Sequence, residues 1–253
     1  MCEPSDMVPR LLIVQNDWDK PLGRIADALL AEDIELDVRM SHAELPDAAA
    51  YHGLVTLPGL ANPEDDDPAV RRVREATENA LTAGLPVLGI CLGGQLLAQV
   101  LGGMTYRSRE ELGFHDVRAT AAAAGDPLLR HAPRRFSVFH AHTYAFRPPV
   151  SAMTLLENDV CVQACKLGDA WAFQCHPEAT LDWVRVLAKG MRGTIDGMDP
   201  GTVGFFLSNG IDPDALEVGA RAAAATAEAL AQAIGAGFAA RVRALSAARS
   251  TSS

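Results

Sequence analysis

The first hundred residues switch repeatedly between two hydrophobic periods. Short apolar runs at RLLIVQN (10–16), YHGLVTLPG (51–59) and LPVLGI (85–90) read as buried strands. ELDVRMS (35–41) alternates instead, with Leu36, Val38 and Met40 set against charged neighbours, and reads as a strand with one wet face. Between these runs, LGRIADALLAEDI (22–34) carries apolar residues at helical spacing. DDDPAVRRVREATENALTAG (65–84) opens on acidic residues and a proline and closes on glycine, the punctuation of a helix. GGQLLAQVLG (93–102) starts another helix directly after the fourth strand. This alternation predicts an α/β fold, a mainly parallel central sheet with helices on both faces.

From residue 105 to 176 the rhythm shortens. FHDVRAT (114–120), RRFSVFHAHTY (134–144), AMTLLEN (152–158), VCVQACK (160–166) and AWAFQCH (170–176) follow as strands and predict a mixed or antiparallel section joined to the sheet. TLDWVRVLAKGM (180–191) reads as a helix capped by Thr180. The stretch from Asp212 to Arg249 is Ala-rich helix with an Asp-Pro start, expected to break or bend at Gly235 and Gly237. The organisation expected is one α/β domain over residues 8–190, with an Ala-rich helical C-terminal extension over 191–253 packed on it.

Composition narrows the function classes. With 253 residues, 49% hydrophobic and 21% charged, the chain can bury a full core. A net charge of −10 without a basic block argues against nucleic acid and anionic membranes as partners. The N-terminus lacks a charged segment followed by an apolar one, and no apolar run reaches membrane-spanning length, so a cytoplasmic protein is expected. Five cysteines are an odd set in so long a chain, which disfavours a disulfide framework. Cys161 and Cys165 lie on one strand about 13 Å apart, too far to share a zinc ion with Cys175. Core packing explains that pair better.

Cys91 is different. It stands in GICLGGQ, between a strand and a helix, with glycine at 89, 93 and 94. Strand, Gly-x-Cys-x-Gly, helix is the cysteine form of a nucleophile elbow. Such a turn lifts the thiol over the carboxyl edge of the sheet, where α/β folds bind ligands. The helix N-terminus behind it favours the thiolate, and the Leu92 N–H is placed to stabilise an oxyanion. A nucleophilic thiol needs a base, and the base needs an orienter. AFQCHPEA supplies both: His176 ends a strand, Pro177 stops it, and Glu178 returns towards the imidazole.

GICLGGQLLA together with QCHPEA resembles the class I, triad-type glutamine amidotransferases. Likeness in the same order extends from about residue 10 to 190, through ELGFHDV (111–117), HAHTY (140–144) and LLENDVCVQACKLGDAWAFQCHPEA (155–179). It is nearest to amidotransferase domains of the GMP synthase type and their stand-alone relatives. The resemblance implies a flavodoxin-like fold and assigns Cys91 as nucleophile, His176 as general acid and base, and Glu178 as its orienter. It places Gly59 with Leu92 in the oxyanion hole, and Gln95, His140 and His142 near the substrate. It implies no metal and no organic cofactor. Two departures stand out. The family's Gly-Gly-Pro is Pro58-Gly59-Leu60 here, and its His-Gly-Asp-Thr-Phe is His140-Ala141-His142-Thr143-Tyr144, which exchanges an anion for a histidine.

The implied reaction is hydrolysis of the glutamine side-chain amide through a γ-glutamyl thioester. The chain carries no nucleotide-binding half, so the released ammonia passes to a separate synthase or acceptor subunit, or simply leaves. Two other readings remain open: a stand-alone γ-glutamyl peptide or amide hydrolase, and a catalytically silent regulatory or binding subunit. The C-terminal helices can pack on the sheet, cover the site, or form the face of a homodimer.

Overall fold

The computed structural model describes residues 8–250; Cys2 and the last three residues lie outside them. Strands β1 (Arg10–Gln15), β2 (Glu35–Met40), β3 (Gly53–Thr56), β4 (Val87–Ile90), β5 (Met104–Ala119), β6 (Arg135–Arg147), β7 (Met153–Glu157), β8 (Val162–Leu167) and β9 (Ala170–Phe173) form one sheet in the order β2-β1-β3-β4-β9-β8-β7-β5-β6. The pairings from β2 through β9 are parallel, and those from β9 through β6 are antiparallel. The parallel part is the alternating strand–helix half of the sequence plus its last strand. The antiparallel part is the region of closely spaced short strands.

Helices α1 (Arg24–Leu30), α2 (Pro68–Thr82), α3 (Leu92–Val100), α4 (Leu181–Met191), α5 (Pro200–Ser208) and α6 (Pro213–Ser250) cover the sheet. The pleat of β1 shows why both faces are apolar. Leu11 and Ile13 pack with Ile25 and Leu29 of α1, and Leu12 and Val14 pack on the other face with Val70 and Val73 of α2 and Leu96 of α3. A third cluster joins Phe139 of β6 to Leu187 of α4, Phe206 of α5 and Leu216 of α6. No helix among the described residues is long and apolar enough to cross a membrane.

Local signals explain most boundaries. Asp67 caps α2 by accepting from Ala69 N–H, Pro68 occupies its first turn, and Gly84 follows it at φ +69°. Thr180 caps α4 by accepting from Trp183 N–H. The helix expected over 22–34 is shorter, because the chain turns at Asp33, φ 53°, to enter β2.

Gly235 and Gly237 correct the sequence reading. They neither break nor end α6, which is a single 38-residue helix. A Cβ at Gly235 would overlap that of Ala28 in α1, and one at Gly237 would lie 2.5 Å from the Pro127 carbonyl oxygen. These glycines let α6 approach the body of the domain, where Leu230, Ile234, Phe238 and Val242 enter the core.

Close approach and helix flexibility predict opposite signs for one substitution. Gly235→Ala would gain about 1 kcal/mol from helix propensity alone. Overpacking against Ala28 costs about 1–3 kcal/mol. The expected outcome in urea unfolding is a net loss of stability; a gain would show that α6 does not need this contact.

Candidate active site

Between Ile90, the end of β4, and Leu92, the start of α3, Cys91 alone makes the turn. Its backbone lies at φ 51° and ψ −111°, a region that costs a non-glycine residue about 1–3 kcal/mol. The surroundings hold it there. Cys91 N–H donates to the Phe173 carbonyl at 2.7 Å, and its own carbonyl accepts from Gln95 N–H at 2.8 Å. The flanking glycines remove obstacles. A Cβ at Gly89 would stand 2.5 Å from the Gly93 carbonyl oxygen, and one at Gly93 would overlap the Thr56 carbonyl. The first turn of α3 can therefore sit directly on β3 and β4, with its N-terminus beneath the thiol.

Four parallel strands deliver their carboxyl ends to the same place. Lys20, past β1, Gly59, past β3, Cys91, past β4, and His176, past β9, all line one cavity. His176 is tied across to β6 by its N–H, which donates to the Phe139 carbonyl at 2.8 Å. Its Nδ1 lies 2.7 Å from Glu178 Oε1, and both side chains are buried. Nδ1–H thus donates to the carboxylate, which turns Nε2 away from it. Among the described residues, neither His176 Nε2 nor Glu178 Oε2 has a hydrogen-bond partner.

Burial by itself would push the His176 imidazole down. The Glu178 carboxylate and then Cys91 outweigh it and raise the ring to about 10. Cys91 acts at close range, although no well-formed hydrogen bond reaches Nε2 in the resting site. Such contacts commonly tighten only when substrate binds. A buried thiol, an imidazole that holds its proton, and a carboxylate behind it can together run nucleophilic attack and proton return on a carbonyl.

Gln95, His140 and His142 are not among the residues that line this cavity. Gln95 is buried, donating to the Tyr144 carbonyl at 2.8 Å and to Gln174 Oε1 at 3.3 Å, so it stitches α3 to β6 and to the end of β9. In β6, Phe139 and Ala141 line the cavity. By strand alternation His140 and His142 point away, towards Glu111, Gln163 and His115.

Sequence reasoning missed the opposite wall. Helix α5 brings Thr202, Phe205 and Phe206 to the cavity beside Trp183. Its signal was present: Asp199-Pro200 at the start, with Asp199 accepting from Gly201 and Thr202 N–H, then an apolar run. Lys20 supplies a cation at the rim, held by Asp17, Asp19 and Thr202.

Comparison with known proteins gives this geometry a context. The family model "Glutamine amidotransferase class-I" matches residues 22–184. The glutamine amidotransferase-like protein YfeJ of Salmonella typhimurium is 31% identical over 152 residues, 57% of this chain and 64% of that protein. One subunit of the glutamine-hydrolysing GMP synthase of Methanocaldococcus jannaschii is 30% identical over 115 residues, 44% of this chain and 60% of that relative. The chain thus spans less than two thirds of either relative. A crystal structure of a glutamine amidotransferase from Thermotoga maritima superposes with a TM-score of 0.80, covering 92% of this chain and 99% of that one. At 22% identity it speaks to the fold alone.

Glu178→Gln tests what holds the proton on His176. With the carboxylate gone, burial dominates, and the His176 pKa is expected to fall well below about 10. An NMR titration of the ring reads this directly; an unchanged value would remove Glu178 from the role.

Proposed function

The chain belongs to the class I glutamine amidotransferase family, and we propose that it hydrolyses the side-chain amide of glutamine through Cys91, His176 and Glu178. The observation that carries this reading is the strained turn at Cys91, held in one cavity with a histidine–carboxylate pair. A family protein without chemistry would have no reason to maintain that backbone strain.

In the proposed cycle the Cys91 thiolate adds to the amide carbon of glutamine. The oxyanion is met by the N–H of Leu92, in the first helical turn where backbone donors lack internal partners, and by the N–H of Gly59. The C–N bond breaks as protonated His176 gives its proton to the departing nitrogen, which leaves as ammonia. A γ-glutamyl thioester remains. Now neutral, His176 takes a proton from water as the hydroxide adds to the thioester carbon. Glutamate leaves, and the Cys91 thiolate with the His176 imidazolium is restored. Glu178 stays ionised throughout and holds Nε2 towards the cavity.

A synthase or acceptor subunit is the proposed destination of the ammonia, in keeping with the relative that is itself a synthase subunit. One observation favours a second reading. The wall of Phe205, Phe206 and Trp183 comes from this chain's own helices and is larger and more apolar than ammonia requires. It suits a γ-glutamyl amide whose leaving amine carries an apolar substituent.

Glutamine and a γ-glutamyl amide with an aromatic amine are assayed side by side, with glutamate release as the readout. Cys91→Ala is expected to abolish turnover of both, and retained activity would exclude the nucleophile. Loss of one oxyanion donor typically costs about 10²–10³ in rate, so residual turnover in Cys91→Ala should fall far below that. Cleavage of the aromatic amide with negligible glutamine turnover would replace the first reading by the second.

A further inference from the structure

Behind the cavity wall lies a second cluster of chemically capable side chains that the amide chemistry does not use. Glu111 of β5 and His140 and His142 of β6 each offer a ligand atom, all within 4.8 Å of one another, and all three residues are buried. A register shift in β5 between Arg107 and Glu111 sets Glu111 opposite His142. Bulges of this kind re-aim a side chain.

The cluster is poorly satisfied as it stands. Both ring nitrogens of His142 are without a hydrogen-bond partner among the described residues, although the residue is only 3% exposed. Its Nε2 lies 3.2 Å from Glu111 Oε2, but out of line for a hydrogen bond. His140 has the opposite difficulty. Its Nδ1 is 3.0 Å from the Val138 carbonyl oxygen and its Nε2 is 3.0 Å from Gln163 Oε1. Both neighbours are acceptors, and a neutral imidazole has one N–H to give. While Glu111 Oε2 accepts from its Nε2 at 2.8 Å, Gln163 does not turn over to relieve this.

Charge adds to the imbalance. Glu111 is a buried acid beside two imidazoles, and among the described residues no Lys or Arg is ion-paired to it. A buried charge without a counter-ion is costly.

We propose that Glu111, His140 and His142 form a divalent-cation site of the type zinc occupies. Two imidazoles and one carboxylate are a donor set for a borderline first-row ion, not for calcium or magnesium, which take oxygen shells. The ion removes each difficulty at once. It gives His142 a partner, neutralises Glu111, and takes the His140 Nε2 lone pair while Nδ1–H donates to Val138 O, the usual arrangement behind a metal-bound histidine. Asn158, donating to Glu111 Oε1 at 2.6 Å, orients the carboxylate. Ligand atoms of a tetrahedral zinc stand about 3.4 Å apart, so the shell closes with side-chain shifts of about an ångström and rotation of the Gln163 amide. Water takes the fourth position.

The site is structural and faces away from the reacting thiol. Ala141, between the two histidines, lines the cavity, and its carbonyl oxygen is 3.9 Å from Cys91 Sγ. The ion would fix that stretch of β6 from behind, joining it to β5. This departs from the metal-free protein that the sequence resemblance implies, and it does not depend on which amide the cavity accepts.

The test uses the full chain, stripped with chelator, reloaded with Zn²⁺ or Co²⁺ and desalted. The expected result is about one metal per chain by elemental analysis, a visible Co²⁺ spectrum of tetrahedral N/O type, and a higher Tm after reloading. His142→Ala and Glu111→Gln, each checked for native circular dichroism, should retain at least about tenfold less metal. Cys91→Ser, which removes the cavity thiol, should retain it fully. Wild-type protein that returns from desalting without stoichiometric metal overturns the proposal, and this needs no variant. So does retention by both cluster variants, or loss in Cys91→Ser.

Discussion

The arrangement at the cavity hangs on the parallel pairing of β4 with β9. These strands are far apart in sequence, yet their register sets Ile90 beside Phe173. The next residues of both therefore leave the sheet at the same edge. On one side this is Cys91, and on the other Gln174 to His176. The Phe173 carbonyl accepts the Cys91 N–H, so the hydrogen bond that ends the pairing also fixes the strained turn. Slipping the register by one residue would reverse the faces of β9 and carry His176 away from the thiol.

The antiparallel half of the sheet then supplies what the parallel half cannot. Parallel strands all point their carboxyl ends one way, so they can floor a site but not wall it. The β5–β6 hairpin brings Phe139 and Ala141 over that edge, and the Phe139 carbonyl receives the His176 N–H. The same strand carries Glu111's partners on its reverse. Front and back of β6 thus serve two purposes from alternate residues.

Local punctuation and local chemistry were legible in the sequence; long-range placement was not. The caps at Asp67 and Thr180, the buried strands and the elbow at Cys91 depend on neighbours a few residues away. The turn from His176 to Glu178 is likewise local, and the 2.7 Å contact follows from it. Gln95, His140 and His142 were placed near substrate by likeness to a motif, but strand alternation and the path of α3 decide where their side chains point. Gly235 and Gly237 were misread because a glycine that weakens a helix and one that admits a neighbouring backbone look alike in one dimension. Helix α5 was missed because its apolar run is short and lacks a clear amphipathic period.

The uninterrupted α6 has a mechanical consequence. Its first turns bed against Phe206 and Phe139 near the cavity, through Leu216 and Ala220, while Leu230 to Val242 are embedded beneath the sheet. A 38-residue helix of about 57 Å with no break transmits no hinge motion along its length. Helix α5, which shares a core cluster with α4 and the first turns of α6, therefore has a rigid backing for the wall that Phe205 and Phe206 give the cavity.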